Sequence, residues 1–233
     1  FGIIYATADY LNSGGNFPSG SLGAPSITFV GDEDTGIYRK GSGSVAFVAD
    51  ATEIANTDSN GLTISSGNLI LPDSIIHSGD TNTKIRFPAA DTVTIETSGS
   101  ERLKVDSSGR VLVGHSTART NIAGINDPQI QLEGLSSDDS SFSLIRNTNN
   151  AFGGNIVLGK TRGGSVGSNT AVQNGDDIGN IRFAAADGTD IDCEVANIKA
   201  EIDGAPGSND TPGRLSFHTT ADGATNATER VRI

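Results

Sequence analysis

The densest run of ligand-type side chains is Asp32-Glu33-Asp34-Thr35-Gly36, three carboxylates followed closely by a glycine. Oxygen donors packed in this way suit Ca²⁺, which takes about six to eight oxygen ligands. The run lacks the later ligands and the closing bidentate glutamate of an EF-hand loop, so Asp32, Glu33 and Asp34 read first as a solvated turn and only second as a calcium site. Asp138-Asp139, Asp176-Asp177 and Asp190/Asp192 each supply paired carboxylates, as glycoside cleavage requires when one carboxyl serves as acid and the other as base or nucleophile. In so acidic a chain such pairs are also expected in turns, and the turn reading is preferred. His77, His115 and His218 have no second histidine three or four residues away and no cysteine nearby, which argues against zinc. Cys193 is the single cysteine; it can form no intrachain disulfide and reads as a small buried apolar residue. Gly163-Gly164-Ser165-Val166-Gly167 neither follows a strand nor opens a helix, so it is no phosphate cradle. No cofactor and no catalysis are expected.

Charge narrows the partners. Lys and Arg total 16 against 28 Asp and Glu, a net −12 and a pI near 4.5. With no basic cluster longer than Arg39-Lys40, nucleic acid is not an expected partner. No apolar run approaches the roughly 20 residues of a membrane-spanning helix, and no signal peptide is visible, so a soluble protein is expected. The first residue is Phe1, which suggests a start inside a longer or processed chain.

The elements that would position any site are short strands. Apolar couplets separated by one residue recur throughout: Ile27/Phe29, Val45/Phe47, Leu62/Ile64, Leu69/Leu71, Ile85/Phe87, Val93/Ile95, Leu103/Val105 and Val111/Val113. The second half adds Ile130/Leu132, Phe142/Leu144, Ile156/Leu158, Ile181/Phe183, Ile198/Ile202 with Ala196 and Ala200 completing the alternation, Leu215/Phe217 and Val231/Ile233. Period 2 with polar residues between, such as Thr28, Arg86, Thr94, Lys104, Gln131, Arg182 and Lys199, puts one dry and one wet face on each strand. Turn formers stand between them at Asp34-Thr35-Gly36, Ser59-Asn60-Gly61, Ser107-Ser108-Gly109, Ala186-Asp187-Gly188 and Ala221-Asp222-Gly223. Only Ile4, Ala8 and Leu11 have helical spacing. The stretches 163–175 and 204–213 read as surface loops.

One module occurs twice. Ile85-Arg86-Phe87-Pro88-Ala89-Ala90-Asp91 returns as Ile181-Arg182-Phe183-Ala184-Ala185-Ala186-Asp187, and Glu101-Arg102-Leu103-Lys104-Val105 returns as Glu229-Arg230-Val231-Arg232-Ile233. These landmarks lie 16 residues apart in the first copy and 48 in the second, so the second carries 32 additional residues. The first copy continues past Val105 whereas the second stops at Ile233, which suggests a polypeptide that runs on.

Thirty glycines, no Trp, no Met and 5% aromatic residues cannot supply a large single core. Three copies around one axis would turn thin β walls into a closed apolar centre; a monomeric solenoid is the rival, but it expects a more constant repeat. The reading is all-β, an elongated homotrimeric fibre of short-strand modules of the β-prism, β-helix or triple-spiral kind, with little helix. Its trimer-core residues would be Ile27, Phe29, Val45, Phe47, Ile85, Phe87, Val93, Ile95, Leu103, Val105, Ile181, Phe183, Leu215, Phe217, Val231 and Ile233. Glu101-Arg102 and Glu229-Arg230 could pair across chains and set register.

The run from Gly23 to Tyr38, which includes Ile27-Thr28-Phe29-Val30-Gly31-Asp32-Glu33-Asp34-Thr35-Gly36-Ile37-Tyr38, resembles repeats in tail fibres of tailed bacteriophages, notably marine and cyanobacterial phages. So does Glu101 to Gly114. Leu144-Ile145-Arg146-Asn147-Thr148, Leu158-Gly159-Lys160-Thr161-Arg162-Gly163, the Asp203 to Phe217 stretch and Thr228 to Ile233 resemble a further module of these fibres. Together the likeness covers about residues 20–114 and 128–233. It implies a trimeric extracellular virion appendage linking a phage tail or its baseplate or adaptor to a host-surface receptor, glycan or protein. Such chains often end in an intramolecular chaperone domain; none is expected within residues 1–233, and the receptor-binding part would lie beyond Ile233. The implied organisation is an attachment arm at 1–19, β modules at 20–66 and 67–114, a linker at 115–127 and a larger module at 128–233. Phe1, Ile3, Ile4, Tyr5, Tyr10 and Leu11 would dock the arm on the virion, unless it is a simple edge strand or frayed end. Two rivals stand beside this reading, a capsid (head) fibre or decoration protein and a polysaccharide-degrading tailspike.

Overall fold

A computed structural model describes residues 17–233. The six candidate docking residues Phe1, Ile3, Ile4, Tyr5, Tyr10 and Leu11, and the helical spacing of Ile4, Ala8 and Leu11, lie outside the described residues. Within them the protein is all-β. The chain divides between Pro72 and Asp73 into two compact units.

The first unit carries a five-stranded antiparallel meander of β1 (Ile27–Phe29), β2 (Asp32–Gly41), β3 (Ser44–Ala49), β4 (Thr52–Asp58) and β5 (Gly61–Ile64), in sequence order. The second unit carries two sheets. One is the six-stranded run β6 (Ser74–His77), β7 (Asp80–Arg86), β8 (Val93–Thr97), β9 (Ser100–Val105), β10 (Val111–Val113) and β11 (Ile130–Leu132), antiparallel except for the parallel β10–β11 pair. The other is four-stranded and antiparallel, β12 (Asp177–Ala185), β13 (Cys193–Ile202), β14 (Gly213–Thr219) and β15 (Thr228–Arg232).

Tight loops hold the register. Two residues separate the closing pairs Phe29↔Asp32, Gly41↔Ser44, Ala49↔Thr52, Asp58↔Gly61, His77↔Asp80 and Thr97↔Ser100. Loops of this length match the right-handed twist of paired strands when both central residues have positive φ. Ser98 and Gly99 meet that condition at 52° and 72°, and Asp50 and Ala51 at 48° and 53°.

Twelve of the expected couplets lie in strands or at their ends. Leu69/Leu71, Phe142/Leu144 and Ile156/Leu158 do not, because alternation gives a segment a dry side but no hydrogen-bonding neighbour. The expected turn at Asp34-Thr35-Gly36 is instead the start of β2, and the chain reverses at Val30-Gly31. Gly36 serves a different purpose there, since a Cβ on it would collide with the Ile27 carbonyl oxygen. The module repeat is visible as geometry. Ile85 and Leu103 sit two strands apart in the six-stranded sheet, whereas Ile181 and Val231 sit three apart, so the 32 added residues contribute one further strand. Arg102 donates to the Thr97 hydroxyl at 3.1 Å, and its counterpart Arg230 donates to the Thr219 hydroxyl at 2.8 Å.

Fully buried side chains are few and small. Leu112, Thr94 and Ser216 are the largest of them among the described residues. Each lies directly between long side chains of its neighbours: Leu112 between Lys104 and Gln131, Thr94 between Arg86 and Lys104, Ser216 between Lys199 and Arg232. The stems of those side chains cover the middle of the face and keep their polar ends in water. Leu112→Ala should therefore cost about 2–4 kcal/mol, read as a lower denaturant midpoint; a cost near zero would show that this face holds no core.

Candidate functional site

Direct cross-strand partners share a face of the sheet, and following them across each sheet gives three uninterrupted apolar rows. In the first sheet the row is Ile27, Ile37, Phe47, Ala55 and Ile64. In the six-stranded sheet it is Ile75, Ile85, Ile95, Leu103, Val113 and Leu132. In the four-stranded sheet it is Ile181, Ile198, Phe217 and Val231. Second rows run parallel to them: Val93, Val105, Val111 and Ile130 in one sheet, and Gly179, Ala200 and Leu215 in the other, where Leu215 exchanges two backbone hydrogen bonds with Ile233.

These rows are largely bare. Ile75 keeps 51% of its surface accessible, Ile95 41%, Phe47 44% and Val231 54%. Among the described residues, the strands in extended contact are hydrogen-bonded neighbours of one sheet. A local contact is made by Leu158, which lies where a Cβ of Gly179 would be. The candidate trimer-core residues fall on these faces except Phe29, which a register shift pairs with Asp32; Val93, Leu103, Val105 and Phe217 are partly covered and the others, from Ile27 and Phe29 to Ile233, exposed.

The opposite faces are polar and densely bonded, although the Thr94 hydroxyl and the Asn197 side-chain carbonyl lack a hydrogen-bond partner. Glu53 accepts from Lys40 Nζ at 2.8 Å, Asn56 Nδ2 at 2.8 Å, Ser65 Oγ at 2.6 Å and Tyr38 OH at 3.3 Å, above the buried Tyr38, Ala46 and Val48. Glu96 lies 3.3 Å from Lys84 and 3.7 Å from Arg86. Glu201 lies 3.0 Å from Lys199 and 3.1 Å from Arg214. The Lys40 ammonium, with the Ser65 hydroxyl, holds the Glu53 carboxyl down at about 2; Arg214 and then Lys199 do the same for Glu201, also at about 2. Each sheet thus keeps its charged face ordered and its greasy face open, the reverse of a solitary soluble sheet.

The carboxylate candidates other than Asp138, whose backbone carbonyl alone accepts a bond, are bound into structure. Asp176 is gripped by both Arg162 Nε at 2.7 Å and Nη2 at 2.5 Å and accepts from Gln173 N at 2.9 Å. That grip holds its carboxyl far below the ordinary value, the wrong direction for a general acid. Asp177 pairs with Lys199 at 2.6 Å, Asp139 accepts from Ser136 Oγ at 2.8 Å, Asp190 accepts from Asp192 N at 3.0 Å and Asp192 from Gly124 N at 2.5 Å. His77 lies in β6, His115 holds the Thr117 carbonyl at 2.9 Å and His218 the Ser216 hydroxyl at 2.9 Å. Cys193 is exposed at the start of β13 rather than buried. Desolvation, then the carboxylates of Asp187, Asp190 and Asp192, pushes its thiol above the ordinary value and makes it a poor nucleophile.

In the acidic run the carboxylate oxygens of Asp32, Asp34 and Asp50 lie within 4.8 Å of one another, with Asp50 rather than Glu33 completing the group. Sequence reading missed Asp50 because the β3–β4 loop brings it there from 16 residues away; Ala51 N donates to the Asp34 carbonyl at 3.0 Å. Partial burial, with Asp32 alongside, raises the Asp34 carboxyl above its ordinary value. The Arg partners of the repeated Glu-Arg pairs are also local: Arg102 and Arg230 bond threonines of their own sheet, and Glu229 takes Arg232 at 2.8 Å.

No helix of the described residues is long and apolar enough to cross a membrane. No family model matches the sequence, and no curated protein matches it. Two solved structures of bacteriophage T5 are similar in part. The carboxy-terminal domain of the L-shaped tail fibre is 12% identical with a TM-score of 0.47, over 78% of this chain and 70% of that one. The same domain with its intramolecular chaperone domain is 13% identical with a TM-score of 0.47, over 78% of this chain; the chain spans about half of that longer one, 48%.

The depressed carboxyls of Glu53 and Glu201 give a pH dependence of definite sign. Their folded values near 2 lie below the ordinary 4.5, so their stabilisation is complete above about 4.5 and is lost as pH falls from there toward 2. Glu53→Gln and Glu201→Gln should lower thermal stability at pH 7 and flatten its decline between pH 4.5 and pH 2; a variant that keeps the parental acid slope would remove these networks from the account.

Proposed function

We propose that the chain is a structural segment of a phage tail fibre, homotrimeric, extracellular on the virion and without catalysis. One end of the fibre would join the tail, through its baseplate or an adaptor, and the other would carry host-receptor recognition. The observation that carries the reading is the bare apolar row that crosses every strand of each sheet. A face like this in water invites association, and three thin walls that share one axis close it without a second layer in each chain. The trimer core would be built from Ile27, Phe29, Val45, Phe47, Ile85, Phe87, Val93, Ile95, Leu103, Val105, Ile181, Phe183, Leu215, Phe217, Val231 and Ile233. The tail-fibre assignment rests on the sequence motifs from Gly23 to Tyr38 and from Glu101 to Gly114, and their resemblance to marine and cyanobacterial phage fibres supports a virion of that group. Phe1, Ile3, Ile4, Tyr5, Tyr10 and Leu11 supply an apolar set for virion docking. The bonds that occupy Asp176, Asp177, Asp190 and Asp192 weigh against a tailspike active site.

Light scattering should give a mass three times 23.9 kDa that persists through mild heating in detergent. Ile95→Asp and Phe217→Asp place a charge in the bare rows and should yield single chains with the β spectrum retained. Lys84→Ala, on the polar face, should leave the mass unchanged. A folded, monodisperse single chain of the parental sequence would overturn the proposal.

A further inference from the structure

From residue 141 to residue 160 no backbone amide or carbonyl bonds to another backbone group among the described residues. Within this span the chain runs without turn or bend over 141–148 and again from 152. The two limbs are adjacent, because a Cβ on Gly154 would lie 3.5 Å from the Leu144 carbonyl oxygen, yet they make no ladder. Both ends are held. On one side the Ser136 hydroxyl donates to Asp139 at 2.8 Å and Ser140 Oγ to the Ser136 carbonyl at 2.7 Å. On the other, Arg162 is clamped on Asp176 and its amide donates to the Thr170 carbonyl at 3.1 Å.

The anchored span is as apolar as the strands. Phe142 and Leu144 flank Ser143 on one limb, Ile156, Val157 and Leu158 form an apolar run on the other, and Phe142 and Ile156 each keep nearly three quarters of their surface in contact with water. Loops do not carry such a pattern for solvent. Charge says which partner it fits. Residues 141–160 contain Arg146 and Lys160 and no carboxylate, in a chain whose net charge is −12, so another copy of the chain presents the complementary surface. Area says that such a partner has room. The accessible surface is 16757 Å², whereas two globular units of these sizes would expose roughly 12,000 Å² together, and a standard interface needs about 800 Å² per partner.

We infer that residues 141–160 are strands of an intersubunit β-sheet: their backbone amides and carbonyls bond to a second copy of this chain, and Phe142, Leu144, Ile156 and Leu158 pack inside the assembly. This rests on the multichain fibre proposed above. Strand addition of this kind supplies main-chain bonds for affinity and alternate side-chain contacts for register. The bonding partners of the span are therefore present only in the assembled protein.

The test is hydrogen exchange on the full chain in its assembled form, with the mass measured on the same sample. Amides of 142–146 and 155–160 should exchange as slowly as those of β13, on the order of 100-fold or more slower than free chain. A trimeric mass with free exchange across 141–160 overturns this inference and leaves the fibre standing, whereas a single-chain mass removes both. Val157→Pro deletes a donor within the span and should lower the detergent-dissociation temperature of the assembly. Val166→Pro, in the neighbouring loop, should not. Equal effects of the two prolines would also overturn the inference.

Discussion

An antiparallel meander satisfies its own backbone but cannot cover its own dry face. That asymmetry governs this protein. Hydrogen bonds close within each of the three sheets, with two-residue loops fixing register in the first two, and isoleucine, valine, leucine and phenylalanine line up strand after strand. The alignment that makes the sheets coherent also concentrates apolar surface on one side. A half-exposed isoleucine or phenylalanine forgoes on the order of 1 kcal/mol of burial, and each row repeats that deficit across four to six strands.

The polar faces explain how such sheets remain ordered as single chains. Glu53, Glu96 and Glu201 each gather two or more donors, and the stems of lysine, arginine and glutamine cover the small residues beneath. Exposed ion pairs contribute only about 0–1 kcal/mol apiece, so their importance lies in geometry. Ion pairs hold Arg86, Lys199 and Arg232 beside Thr94 and Ser216, hydrogen bonds to backbone carbonyls hold Lys104 and Gln131 beside Leu112, and these bonds make the charged side poorly suited to close packing. Any association is thereby directed to the other side. The proposed fibre uses this division: the charged side meets solvent, and the dry sides meet one another.

Much of this was legible from spacing alone. Couplets of the Ile85/Phe87 kind mark strands because alternation is a local property, and they also identify which side chains share a face. The duplicated module was equally plain, and even its Arg-to-Thr bond recurs in the structure. Other features were hidden. Gly36 looks like a turn glycine but is needed for close approach to the Ile27 carbonyl, a contact made by a strand that pairing alone brings near. Asp50 joins Asp32 and Asp34 through a hairpin, and the pairing of Asp176 with Arg162 spans a loop whose path the sequence does not specify.

The amino-acid sequence by itself determined the strand class, the alternation that gives each strand a wet and a dry side, the acidic surface and the shortage of side chains for a conventional core. All of these follow from local chemistry and composition. Tertiary structure decided which couplets become ladders and which faces remain open. Phe142/Leu144 and Ile156/Leu158 carry the same pattern as Ile85/Phe87, yet only the last finds a ladder partner in its own chain. Pairing depends on which backbone arrives alongside, and that is settled by loop lengths and neighbouring strands far away in sequence.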